Sequence, residues 1–195
     1  MVSFPDRIAV RPFELETEPA MSRKPRVAAI QMASSPHVSA NLLEAQRLIQ
    51  EAVDESGANL VVLPENFAFM GEKDRDLLDL CEAEGQGPLQ DFLAEMASRH
   101  RIWLVGGTLP LTAQNPGRVR AACLVFNDRG ERVARYDKIH LFDVKLPETG
   151  ERYEESATIE PGDTPVVLAT PFGRLGLSVC YDLRFPELYR EMLDA

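Results

Sequence analysis

The segment from residue 26 to residue 65 constrains the fold more than any other. "RVAAIQMA" reads as a buried strand, and from Asn41 the apolar period changes to that of a helix. Asn41 with Glu44 three residues on makes a capping-box-like start, Leu42, Ala45, Ile49, Ala52 and Val53 fall on one face, and Gly57 ends the run. A second strand, "NLVVLPE", follows at once. A strand, an amphipathic helix and a strand in so short a length bury their apolar faces only against one another, which indicates an α/β architecture.

The rest of the chain extends that pattern. "NFAFMGEKDR" reads as a loop into acidic helical sequence, and "GPLQDFLAEMASRH" repeats the helical period through Leu89, Phe92, Leu93, Met96 and Ala97. "IWLVGGTLPL", "VRAACLVFN" and "RVARYDK" are strand-like, with residues 127–130 fitting a hairpin turn. A long loop from Ile139 to about Gly162 then precedes two strands in "PVVLATPFGRLGLSVC" and a helix beginning at "PELYREML". A structureless stretch of that length within a domain points to function or mobility. Helices therefore cover a mixed sheet. Residues 1–20, with mixed charge and no period, read as a disordered leader or as the product of a start codon upstream of Met21.

Composition narrows the partners. The 195 residues are 45% hydrophobic, enough for one domain with a core or for part of a larger one. Net charge is −10 and the basic residues are scattered, so nothing marks a surface for nucleic acid or an anionic membrane. No apolar run approaches the ~20 residues of a membrane span, and no signal peptide is legible at the start. Cys81, Cys123 and Cys180 lie far apart without a CxxC pair, and His37, His100 and His140 are equally dispersed. That usage fits a reducing, cytoplasmic setting and argues against a disulfide framework or a thiolate zinc site.

Three positions carry chemistry, each with a plain structural alternative. Glu65 closes the run "LVVLP", where an α/β sheet places ligands, or it is a solvated carboxylate at a strand end. Lys138, in "RYDKIHLFD", is either a surface lysine paired with a neighbour or a buried ammonium able to stabilise charge growing on an oxygen. Cys180 is an inert core thiol or a nucleophile. It closes the strand "RLGLSV" shortly before a helix with Pro186 in its first turn, where the helix dipole would favour the thiolate. A thiol nucleophile needs a proton carrier, and His140 and Glu65 are rival candidates.

In order and in flanking sequence, Glu65 in "LPENF", Lys138 in "YDKIHLFD" and Cys180 in "GLSVCYDLRFPEL" resemble the Glu-Lys-Cys triad of the nitrilase or carbon-nitrogen hydrolase superfamily. The wording is closest to its amidase branch, which includes omega-amidase and deaminated glutathione amidase. The resemblance runs from about Arg26 to the end, and residues 21–195 are read as the carbon-nitrogen hydrolase domain.

That resemblance implies a four-layer α-β-β-α sandwich and a cofactor-free thiol amidase with no metal, acting on a small carboxylate-bearing amide and assembled as a homodimer or larger. It implies that Cys180 attacks, that Glu65 carries the proton, and that Lys138 stabilises the tetrahedral intermediate with the backbone N–H of Tyr181 as a second donor. Glu155, in "YEESATIEPGD", matches a further glutamate near the site, as a base or as a substrate-positioning group. Arg184 either pairs with Asp182 or Glu187 to hold the turn or meets a substrate carboxylate. Phe67, Tyr136 and Phe142 either line the pocket or belong to the core. Nitrilase and N-carbamoyl hydrolase activity are compatible with the same triad. Family members continue well beyond the equivalent of Ala195, so the sequence also reads as an incomplete domain, either an active enzyme or a non-catalytic remnant that binds a relative.

Overall fold

A computed structural model describes residues 9–11 and 25–194. In chain order its strands and helices are β1 (Ala9–Arg11), β2 (Val27–Ala29), α1 (Val38–Ser56), β3 (Leu60–Val62), α2 (Pro88–His100), β4 (Trp103–Val105), β5 (Leu109–Thr112), β6 (Val119–Phe126) and β7 (Arg132–Asp137). They continue with β8 (Asp143–Lys145), β9 (Arg152–Glu154), β10 (Val166–Thr170), β11 (Gly173–Gly176) and α3 (Pro186–Asp194). Short 3-10 segments lie at Asp74–Leu80, Glu155–Ala157 and Cys180–Arg184.

The largest sheet runs β2-β3-β4-β6-β5, with β7 on the other side of β6. β2, β3 and β4 are parallel, joined through α1 and α2, whereas β6 is antiparallel to β4, β5 and β7. Two reversals return β7 to the direction of β3. The residues that follow β3 and β7 therefore leave the sheet at the same end, and these are Glu65 and Lys138.

Side-chain alternation builds two cores from that sheet. Val61, Leu63, Leu104, Ala122, Leu124 and Phe126 face the helices, where Ala45, Ile49, Leu93 and Met96 meet them. Leu60, Trp103, Val105, Cys123 and Val125 point the other way, against Val166 and Leu168 of the second sheet, β1-β10-β11, and Leu177 and Val179 just beyond it. Both faces of β3, β4 and β6 are covered, which is why those strands are apolar at nearly every position. α3 lies over the outer face of the second sheet, where a Cβ on Gly176 would meet Met192 Sδ at 2.9 Å. The layers are α-β-β-α. Fully buried Leu124 sits at the centre, and truncating such a side chain to alanine costs about 2–5 kcal/mol.

Several local expectations are corrected. α1 starts at Val38 with His37 as N-cap, so Asn41 is not the cap. Its buried side chain instead accepts from Ser35 N and donates to Ser35 O and Ala68 O, tying two loops together. Gly57 does end the helix, in the left-handed conformation (φ 62°). β2 is an edge strand with Val27 59% exposed, and only alternate residues from Ala28 reach the helical core. The long loop holds the β8–β9 hairpin and the turn at Glu155–Ala157, built from backbone pairing that leaves no apolar period to read. Residues 9–11, inside the segment read as a disordered leader, pair in parallel with Val166–Leu168. The remainder of that leader lies outside the described residues.

Candidate active site

Glu65 is delivered by a loop with little freedom. Gly107 has φ 55°, and a Cβ there would stand 1.9 Å from the carbonyl oxygen of Pro64. Asn66, also left-handed (φ 55°), donates its N–H to the buried hydroxyl of Thr108 at 2.8 Å. The turn after β3 is thus pressed against residues 107 and 108, and the carboxylate between them is fixed.

Lys138 continues β7, its N–H donating to Ala121 O at 3.0 Å and its C=O accepting from Gly162 N at 2.9 Å. Its side chain is only 2% exposed, so the surface-lysine alternative does not hold. Nζ donates to Glu65 Oε1 at 2.8 Å and to Glu155 Oε1 at 2.8 Å. Burial alone would pull the ammonium down; the two carboxylates outweigh it and hold its pKa above the ordinary lysine value. The other oxygen of Glu155 accepts from Phe142 N at 2.6 Å. Glu155 thereby anchors the long loop to the lysine.

Cys180 opens the 3-10 turn Cys180–Arg184 and is one of three non-glycine residues with positive φ, here 49°, among the described residues. It shares with Glu65 a cavity of about 120 Å³ that is otherwise lined by Val62, Val105, Cys123 and Val179, among others. The expected lowering of its pKa is corrected. α3 starts only at Pro186, with the 3-10 turn between, so the dipole of a long helix does not point at the sulfur. Partial desolvation and then the charge of Glu65 push the thiol up, against the pull of Lys138. The cysteine thus lies beside two carboxylates and a single ammonium. Cys123, wholly buried, is pushed up to about 12 and is inert packing.

The remaining candidates divide. Phe67 is fully buried in the helical core, stacked on Phe92 at 6.3 Å, and Tyr136 is buried between the sheets; neither borders the cavity. Long apolar side chains next to a strand satisfy the core first. Half-buried Phe142 packs edge-on against Tyr181 at 5.1 Å, and Tyr181 against Phe185 at 5.5 Å, beside the Cys180 turn. Arg184 is exposed and makes no ion pair among the described residues, so the pairing with Asp182 or Glu187 is not formed. His140 is held by Asp182 and stacked on Phe185 at 3.7 Å. The residue that sequence reasoning undervalued is Asp182, which is completely buried. Its signal was its place two residues after the cysteine. Among the described residues no group of three or more His, Cys, Asp or Glu side chains is placed to hold a metal ion, and no helix is long and apolar enough to cross a membrane.

Four layers and a buried lysine held between two glutamates beside a cysteine define the site. The carbon-nitrogen hydrolase family model matches residues 26–194, and the chain belongs to that family. It is 44% identical over 166 residues to a deaminated glutathione amidase of Synechocystis, a match covering 84% of this chain and 60% of the relative. It is 35% identical over 172 residues to an omega-amidase of Saccharomyces cerevisiae, covering 86% and 59%. Among solved structures, a Saccharomyces cerevisiae member of branch 10 of the nitrilase superfamily superposes with a TM-score of 0.70 at 30% identity, covering 82% of this chain and 56% of that one. The C. elegans NitFhit protein superposes at 0.69 with 32% identity, covering 85% and 40%. The chain thus spans roughly three-fifths of the curated relatives it matches.

Proposed function

We propose that this chain carries the catalytic residues of a thiol amidase that hydrolyses a small carboxylate-bearing amide and releases ammonia. The observation that carries the reading is Lys138, buried between Glu65 and Glu155 at 2.8 Å from each, with Glu65 also bordering the cavity that holds Cys180. The names of the relatives, deaminated glutathione amidase and omega-amidase, both specify amide substrates.

In this reading the thiol rests protonated, and Glu65 takes its proton as Sγ forms a bond to the amide carbon. Negative charge grows on the former carbonyl oxygen, where the Lys138 ammonium and the N–H of Tyr181 meet it; one such donor is worth about 10²–10³ in rate. Glu65 returns the proton to the nitrogen, the C–N bond breaks, and ammonia leaves a Cys180 thioester. Glu65 then draws a proton from water, the hydroxyl adds to the thioester carbon, and the acid departs as the thiol recovers its proton. Glu155 holds Lys138 in place and takes no proton. Every step is nucleophilic exchange or proton transfer, and no cofactor is used. Arg184, exposed and unpaired at the end of the nucleophile's turn, is the group we assign to a substrate carboxylate.

The test is ammonia release from omega-amide substrates. Release by the wild-type chain that is lost in Cys180→Ala supports the reading, and equal release by both proteins overturns it. Nitrile and N-carbamoyl substrates run in parallel separate amidase from the other chemistries of the superfamily.

A further inference from the structure

Asp182 is fully buried, and its carboxylate gathers four donors from two separate stretches of chain. Oδ1 accepts from His140 N at 2.9 Å and contacts His140 Nδ1 at 2.7 Å; Oδ2 accepts from Tyr136 Oη at 2.6 Å and from Val179 N at 2.8 Å. His140 Nδ1 donates to Oδ1 in the tautomer that carries its proton there. Burial and the bond to Asp182 raise the pKa of Tyr136, which keeps its hydroxyl a donor.

The placement of these donors gives the carboxylate its role. Tyr136 and His140 stand two residues before and two residues after Lys138, and Val179 immediately precedes Cys180. One buried group therefore joins the segment carrying the lysine to the segment carrying the cysteine. Asp182 N also donates to Val179 O at 3.1 Å, closing the turn in which Cys180 sits at φ 49°. A non-glycine residue in that region is strained and persists only when its surroundings over-determine it.

We propose that Asp182 is a positioning residue that locks the Cys180 turn against the Lys138 segment, acting through Tyr136, His140 and Val179. This rests on the reading of Cys180 as nucleophile, although its test does not depend on turnover. The groups that set the behaviour of the thiol are Glu65 on the loop after β3, Lys138 after β7 and Glu155 after β9. If the turn is released, the sulfur leaves that carboxylate-rich site and reverts toward an ordinary thiol.

The experiment is the pH dependence of Cys180 carboxamidomethylation by iodoacetamide, read at the Cys180 peptide by mass, in wild type, Asp182→Asn and Tyr136→Phe, with melting temperature and kcat and KM for an omega-amide measured alongside. An asparagine keeps one accepting oxygen but presents an NH2 group in place of the other, so the contacts on that side become donor against donor. In Asp182→Asn the alkylation midpoint is expected to fall by about half a pH unit or more, with kcat down about 10²-fold and KM little changed. Tyr136→Phe, which keeps the carboxylate and three donors, is expected to shift the midpoint the same way by less. Lowered melting temperatures with unmoved midpoints in the folded variants mean a merely structural role and overturn the proposal; if Asp182→Asn does not fold, Tyr136→Phe decides. A shifted midpoint in a chain whose wild type turns over no amide upholds the positioning role while the amidase reading fails. Turnover with unmoved midpoints gives the converse.

Discussion

Lys138 Nζ lies 2.8 Å from Glu65 Oε1 across 73 residues of sequence, and the lysine side chain is 2% exposed. A buried ammonium is tolerated only when carboxylates compensate the lost hydration, and here two do. The geometry follows from strand direction: β7 and β3 run the same way in one sheet, so their ends deliver the two charges to one place.

Replacing Lys138 by methionine leaves Glu65 and Glu155 facing each other without a cation. Removing one partner of a buried pair costs about 3–5 kcal/mol, and because the carboxylates are 28% and 19% exposed the expected loss lies at the lower end. Urea unfolding measures it. The sign with pH also follows: a lysine held above its ordinary 10.5 contributes stability that is fully present below that value and is lost as pH rises through the higher folded value. The wild type should lose this contribution in strong alkali, and Lys138→Met should have none to lose.

The thiol of Cys180 should be slow to alkylate at neutral pH, with a midpoint above that of an unperturbed cysteine, because partial desolvation and Glu65 raise its pKa. Neutralising Glu65 as glutamine should lower the midpoint, and Lys138→Met should raise it further by removing the ammonium that pulls it down. Iodoacetamide rates across pH, read on the Cys180 peptide, check both directions. A wild-type midpoint below the ordinary thiol range would mean that a thiolate is stabilised at rest.

Gly107→Ala tests the loop that holds Glu65. The added carbon would stand 1.9 Å from Pro64 O in a backbone at φ 55°, so the turn must move. A loss of order 1–3 kcal/mol in unfolding free energy is expected from the strained backbone, with turnover reduced about 10²-fold by misplacement of the carboxylate. Near-wild-type turnover would show that the position of Glu65 does not depend on this contact.

How much of this was legible in sequence depended on whether the information was local. The helical faces around Ile49 and Leu93 and Gly57 as a terminator were legible because one-sided burial imposes a helical period, and β4 and β6 because burial on both faces leaves a short continuous apolar run. Glu65, Lys138 and Cys180 stood out through their flanking words. The convergence of Tyr136, His140 and Val179 on Asp182 left no such mark, since it joins residues 42 or more apart on one side to a neighbour three residues away on the other. The β8–β9 hairpin was missed because its strands are short and largely exposed, with no apolar alternation to mark them. The direction of the Cys180 pKa was missed because a strand followed by a helix suggested a dipole, whereas the intervening 3-10 turn and the carboxylate of Glu65 decide it.

Arg184 supplies the last prediction. It is exposed, four residues from Cys180 on the same turn, and neither Asp182 nor Glu187 engages it: Asp182 is saturated by other donors and Glu187 sits 4.0 Å from Arg190. A guanidinium left in this way can take a carboxylate bidentately, which a lysine cannot reproduce. Arg184→Lys is therefore expected to raise KM for an omega-amide bearing a free carboxylate about tenfold, the equivalent of roughly 1.4 kcal/mol, with kcat nearly unchanged. The same substitution should leave the kinetics of a neutral amide of equal length untouched, since that substrate never used the contact. Equal effects on both substrates would assign Arg184 to the architecture of the turn, and no effect on either would place the substrate carboxylate elsewhere.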